Sequence, residues 1–251
     1  MAIRHTISHA DQLFYGRSQV AAKFDSKRGI PMNPVTFVDL GAPVTLDADG
    51  LVAAATSTEL PNASTITYTY ATGGTSPLDG ANQTGILDVP RNVTVAVTHG
   101  SSVVAMTILV TGKDENNVTM SELLTITATG TSKTAAGKKA FKKVTSIAIT
   151  SAGDATTNTM DLGWGDVLGL PYQLVDKNYC IYLMDGVPQT SGTIVAAVTT
   201  DPATTTTGDV RGTITPATAT NGTRKYAAWL TGVPAADRSD SASSAYGVSQ
   251  A

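Results

Sequence analysis

The sequence predicts an all-β protein, an antiparallel two-sheet β-sandwich or jelly roll preceded by an extended N-terminal arm. Three observations lead there. Apolar and polar residues alternate through Val93, Val95 and Val97, through Val104, Met106, Ile108 and Val110, and again through Val144, Ile147 and Ile149, as expected of strands with one buried and one solvated face. Gly, Asp and Asn fall between these runs and mark turns. Thr and Val are abundant, and their branching at Cβ restricts χ1 and favours extended backbone.

Residues 1–34 are expected to form the arm. Arg4, Arg17, Lys23, Lys27 and Arg28 outnumber Asp11 and Asp25, and Pro31 and Pro34 close the segment. A short helical turn over residues 11–14 is compatible with the sequence. A merely solvated terminus has no use for aromatic residues, yet Phe14, Tyr15 and Phe24 lie here in a chain that is only 6% aromatic. The expectation is an arm that orders on a partner surface. Its candidate contact residues are Arg4, Phe14, Tyr15, Arg17, Lys23, Phe24, Lys27 and Arg28.

Residues 35–233 read as the β body. VTFVDL opens it, and the following VTLDADGLVAAAT reads as two short runs joined by a hairpin turn at Asp47-Ala-Asp-Gly50, because Asp and Gly suit turn geometry. An EF-hand reading of Asp-x-Asp-Gly fails for want of the remaining oxygen ligands and flanking helices. TITYTY, residues 65–70, is another strand, and residues 73–85 form a surface loop. A hairpin is expected over residues 113–117, between TILVTG and VTMSELLTITA.

Residues 133–143, KTAAGKKAFKK, are a dense basic run, read as a solvated loop with Phe141 turned inward at the start of the next strand. Gly163-Trp-Gly-Asp-Val-Leu-Gly169 has the spacing GxGxxxG and runs into Leu170-Pro171, so it is no dinucleotide loop. A tight turn is expected there, with Trp164 and Leu168 packed beneath the sheet. Four more strand candidates follow Pro171, and about ten strands with few helices are expected in all. Residues 234–251 read as a small, polar tail without a core of its own.

Composition limits the chemistry. The chain has 251 residues, enough to bury a full core. With 15% charged residues and a net charge of −3, no direct nucleic-acid role is expected. Cys180 is the one cysteine, which excludes an intrachain disulfide framework and points to a buried structural thiol. MAIRHTISHADQLF has no apolar signal core and no run of about 18 apolar residues exists, so synthesis in a cytoplasm and no membrane partner are expected. The sequons at Asn62, Asn92 and Asn117 then carry no weight.

His5, His9 and His99 are the only histidines; no metal site or cofactor is expected from them. His99 beside Gly100 lacks a nucleophile elbow. Asp154, Asp161 and Asp166 lie close in sequence, but only Trp164 stands near as a sugar platform. No enzymatic activity is expected.

DVPRNVTVAV, TILVTGKDENNVTMSELLTI, GKKAFKKVTSIAIT and GDVLGLP, followed by TTGDVRGTITPATATNGTRKYAAWL, resemble a segment of structural proteins of tailed bacteriophage particles. The arm matches nothing in particular. The resemblance implies a non-enzymatic virion component, most like a head decoration (cement) protein on the outer capsid lattice. It implies the major capsid protein as partner, a homo-oligomer with a trimer ahead of a dimer, and a place on the capsid surface after synthesis in the host cytoplasm. The alternatives are a tail-tube, neck or fibre-base protein, and a carbohydrate-binding β-sandwich module, for which Tyr68, Tyr70 and Trp229 would be the platforms but read more simply as core.

Overall fold

The computed structural model describes residues 35–55, 66–69, 80–82, 84–100, 105–127, 130–151, 158–234 and 244–251. The expected arm, with all eight of its candidate contact residues, lies outside these residues. The described residues form an all-β protein of two antiparallel sheets packed together. The strands are β1 (Val35–Gly41), β2 (Asp47–Ala55), β3 (Ile66–Thr69), β4 (Ile86–His99), β5 (Met106–Lys113), β6 (Thr119–Ile126) and β7 (Ser132–Ala136). There follow β8 (Phe141–Ser151), β9 (Asn158–Gly169), β10 (Cys180–Met184), β11 (Val187–Pro188), β12 (Gly192–Val195), β13 (Thr213–Pro216) and β14 (Tyr226–Thr231).

The small sheet has the order β1–β14–β10–β11, and the other ten strands form the large sheet. Length explains how the large sheet turns a corner. β4 spans 14 residues, so one side of it serves two partners: its start meets β8 (Arg91↔Phe141) and its end meets β7 (Val95↔Ala135). β9 runs along its other side. Long strands that change partner at an irregularity make corners between layers. Here β2–β9–β4–β7 and β3–β8–β5–β6 become two layers hinged at the β4–β8 corner. Their inward residues, among them Val93, Val95, Ile108, Val110, Ile147, Ile149 and Leu162, meet in the larger core. A second core lies under the small sheet, where Val38, Leu40, Tyr182, Ala228 and Leu230 pack on Leu168, Leu170 and Ile214.

Several expectations hold in detail. β5 and β6 are joined by the expected hairpin, in which Asp114 Oδ1 accepts from the backbone N–H groups of Asn116 (2.8 Å) and Val118 (2.9 Å) while Asn117 takes φ 64°. Phe141 opens β8 and is fully buried. Cys180 is a free, buried thiol whose pKa desolvation pushes up to about 11, so it stays protonated and inert near neutral pH.

Other expectations are corrected. Asp47-Ala-Asp-Gly50 does not turn a hairpin; it begins β2, and between Asp47↔Trp164 and Val52↔Leu162 the register slips, leaving Ala48 and Asp49 exposed while Leu51 enters the core. Likewise, residues 163–169 are not a tight turn but the second half of β9. Gly163 is required there by close approach, because a Cβ would overlap the Asp47 carbonyl. Trp164 and Leu168 are buried as expected.

The basic run is not wholly a solvated loop, since residues 132–136 form β7 and Lys139 is fully buried. Nor is the end of the chain a coreless tail. Val248 packs with Ala203 and Val210, Ser244 and Ala245 are buried, and Ala251 O accepts from Ser121 N at 2.7 Å. Small side chains let this segment lie close against the sheet.

Candidate interaction surface

Alternation along the small sheet has two apolar sides. Val38, Leu40, Cys180, Tyr182, Ala228 and Leu230 face the core, which forces their neighbours outward. On the outer face the registers Phe37↔Trp229 and Ile181↔Trp229 align three large apolar side chains across β1, β14 and β10. Phe37 is 59% exposed, Trp229 40% and Ile181 47%. Val35 and Tyr179 extend the patch toward one end of the sheet and are exposed as well. Trp229 is therefore not core, contrary to the sequence reading. The signal was present in YAAWLT, where Tyr226, Ala228 and Leu230 share one face and Trp229 must take the other.

Among the described residues no strand pairs with β1 on the side away from β14. On that side a groove of about 360 Å³ lies between residues 38–41 and residues 88–90, with Glu115 and Lys142 at its rim. The 34 residues that carry the candidate arm join the body at Val35, beside Phe37.

The polar chemistry of the body is turned inward. Arg91 is fully buried in β4 and reaches β9, the loop after β1 and the loop before β14. Its Nε donates to Gly165 O (2.8 Å), Nη1 to Val44 O (2.8 Å), and Nη2 to Asp166 Oδ1 (3.0 Å) and Thr220 Oγ1 (2.9 Å). Burial lowers the Arg91 pKa, with Asp88 and Asp166 opposing it. Asp166, one of the three aspartates singled out in the sequence, is thus a structural partner. Asp154 lies outside the described residues.

A second buried network was not foreseen. β6 buries Met120, Glu122, Leu124 and Ile126 on one face, so period two carries a carboxylate inside. Glu122 accepts from the backbone N–H groups of Lys138 (2.5 Å) and Lys139 (3.3 Å), and Asp209 accepts from those of Ala140 (3.0 Å) and Arg211 (2.8 Å). Desolvation raises the Glu122 pKa to about 7 and lowers that of Lys139, whose buried Nζ has no hydrogen-bond partner among the described residues. Arg211 Nη2 pairs with Asp114 Oδ2 at 3.1 Å.

Near that pair a cavity of about 450 Å³ is lined by Asp114, Asn116, Val118, Val210, Tyr246 and Val248. Its carboxylate is already engaged by Arg211 and by Gln250 Nε2 (3.3 Å). Among the described residues no three His, Cys, Asp or Glu side chains gather as a metal site. No helix among them is long and apolar enough to cross a membrane.

Comparison with protein-family models, with curated proteins and with solved structures gives no match to this chain.

Proposed function

We propose that this chain is a non-enzymatic structural protein of a tailed-phage virion, a head decoration (cement) protein that binds the outer capsid lattice and stabilises it. The observation that carries the reading is the exposed row Phe37, Trp229 and Ile181 on a sheet whose other face is fully packed. Contiguous apolar surface on a rigid sheet marks protein contact. Arg91, Glu122, Asp209 and Arg211 are spent inside the body, on holding its segments together. The partner is the major capsid protein, reached by the arm through Arg4, Phe14, Tyr15, Arg17, Lys23, Phe24, Lys27 and Arg28, and copies of the chain cluster as a homo-oligomer. Many weak contacts repeated over a lattice give avidity.

The test is to mix the purified protein with undecorated phage heads and follow sedimentation and imaging. Saturable binding in a fixed ratio, with heads more resistant to heat, is expected. Self-assembly into rings or binding to tails instead would retire the decoration reading in favour of a tail-tube, neck or fibre-base protein. Deleting residues 1–33 should leave a folded body that no longer binds heads. Changing Arg17, Lys23, Lys27 and Arg28 to Glu should weaken attachment in a salt-dependent way; undiminished binding in both cases moves the interface to the body.

The exposure of Trp229 also favours a second reading, a carbohydrate-binding module, since an aromatic ring on an open sheet face can stack on a sugar. Its neighbours in the row, Phe37 and Ile181, offer no hydroxyl-binding groups. Soluble oligosaccharides should therefore leave Trp229 emission unchanged, and a saturable shift would promote this reading.

A further inference from the structure

We propose that the groove beside β1 takes residues 12–18 of a second copy, which add an extended strand to the free edge of the small sheet. The inference rests on residues 1–34 being an arm and on the chain being a homo-oligomer, and not on which surface of the virion receives it.

The groove states what it would hold. β1 spans seven residues and, among the described residues, pairs only with β14. Alternate backbone N–H and C=O groups along its other edge are therefore offered to the groove. A strand added to such an edge is held by these groups, while the pockets under its alternate side chains select its sequence. Val38, Leu40, Pro90 and Pro171 give the groove apolar walls, and Asp39, Asp88 and Glu115 stand exposed at its rim. Lys142 is the cation that lines it; its Nζ donates to Asp88 O at 2.7 Å and lies 4.0 Å from Glu115. Arg91, buried behind, is 3.5 Å from the Asp88 carboxylate. Asp39 accepts from Gly41 N at 2.8 Å and pairs with no cation among the described residues. An acidic excess is left, and it calls for an extended segment with apolar side chains and one cation.

Residues 12–18, QLFYGRS, have that pattern. Period two sets Leu13, Tyr15 and Arg17 on one face of a strand, two side chains for the apolar walls and a cation for the rim. No proline precedes Pro31, so every N–H of the segment can join the ladder. The groove holds it as a strand in place of the helical turn open to residues 11–14 alone. Tyr15 and Arg17 then serve a neighbour, and the other six candidate arm residues remain for the capsid protein.

The donor is a second copy because of where the arm joins. It enters β1 at Val35, whereas the groove lies at residues 38–41, toward the other end of the strand. Ile30 and Asn33, each before a proline, favour extended backbone at this junction, so the arm leads away from its own groove. Residues 19–34 span at most about 55 Å when extended, beyond the roughly 40 Å breadth of a body of this size. The contact joins two unlike patches, so copies pass it round a closed ring, which admits the trimer expected from the phage resemblance.

The test uses no phage heads. Copies carrying Arg17→Cys alone are mixed with copies carrying Asp39→Cys alone and oxidised mildly; Cys180 is buried and takes no part. A covalent dimer on a non-reducing gel is expected from the mixture and not from Asp39→Cys by itself. In sedimentation equilibrium the unaltered chain and a chain lacking residues 1–11 should be oligomers, and a chain lacking residues 1–18 a monomer. The truncations leave the body untouched, so they decide the matter should a cysteine variant misfold. A monomeric unaltered chain would overturn the proposal, as would an oligomer that survives loss of residues 1–18 or is already lost without residues 1–11. So would the absence of any disulfide, or a disulfide formed only within a chain that carries both cysteines, which would assign the groove to the chain's own arm. Each of these outcomes leaves the decoration reading to its own head-binding test.

Discussion

Replacing Arg91 by Met should destabilise the protein by about 4 kcal/mol. The substitution keeps the apolar stem and removes the guanidinium, which stands at 0% exposure among four hydrogen-bonded partners and also 3.5 Å from Asp88. Breaking a buried charged pair on one side costs roughly 3–5 kcal/mol, chiefly because the partner is left charged and unpaired. An orphaned acceptor, here the carbonyl of Gly165, adds about 1–3 kcal/mol where water cannot reach it, whereas Val44 O keeps a donor in Thr220 Oγ1. Against this, the Asp166 and Asp88 side chains keep 14% and 28% of their exposure and can recover some hydration. The middle of the charged-pair range therefore stands.

That loss is a large part of an ordinary stability of about 5–15 kcal/mol, and it corresponds to roughly 8–16 °C in Tm for a chain of this size. Equilibrium unfolding in urea measures it, with the slope m expected to stay unchanged while the midpoint falls. In an Arg91→Met, Asp166→Asn double variant the two effects should be less than additive, since the first change already strands the carboxylate. A loss below about 1 kcal/mol would refute the reasoning: the desolvation that lowers the Arg91 pKa would then nearly cancel everything the guanidinium bonds contribute.

Glu122, with its pKa raised from 4.5 to about 7, makes the folded state bind more protons than the unfolded chain between those values. Stability should therefore fall as pH rises through this window, by up to about 3 kcal/mol, and Glu122→Gln should flatten the dependence; an equal slope in the variant, read from urea midpoints at pH 5 and 8, rejects the assignment. Gly163→Ala should destabilise by about 3 kcal/mol or reduce soluble yield, because the β2 backbone at Asp47 would have to move; an unaltered melting curve would mean that the β2–β9 spacing is not fixed there. Deleting residues 244–251 uncovers Val210 and Ala203 and breaks the Ser121–Ala251 bond, so about 2 kcal/mol should be lost, whereas a solvated tail would change stability by less than about 0.5 kcal/mol.

Period two made the strands legible because it records the side-chain geometry of the pleat, which any sheet shares. Partner choice leaves no such local trace. Nothing in ILDVPRNVTVAVTH says that its first half will meet β8 and its second β7; that follows from length and from where the other strands end. Turn chemistry misled for a related reason. Asp47, Asp49 and Gly50 suit a hairpin equally well as a bulge, and only the presence of β9 alongside decides between them. Glu122 and Trp229 were readable from their own strands, since each occupies a face fixed by its neighbours. Reading Trp229 as core lets residue character override that alternation.

These two exchanges belong together. The body buries Arg91, Glu122, Lys139, Asp209 and Arg211 while it shows Phe37, Ile181 and Trp229. The buried groups tie the ends of strands to neighbouring loops: Arg91 joins β4 to the segment before β2 and to the loop before β14, and Glu122 holds the turn that leads into β8. The small sheet is thereby fixed on a stiff support, so the exposure of its outer face is not slack in the fold. Strands apolar on both faces are built to be covered on both faces. Within the body the inner face is covered by Leu168, Leu170 and Ile214, and the row on the outer face is left exposed.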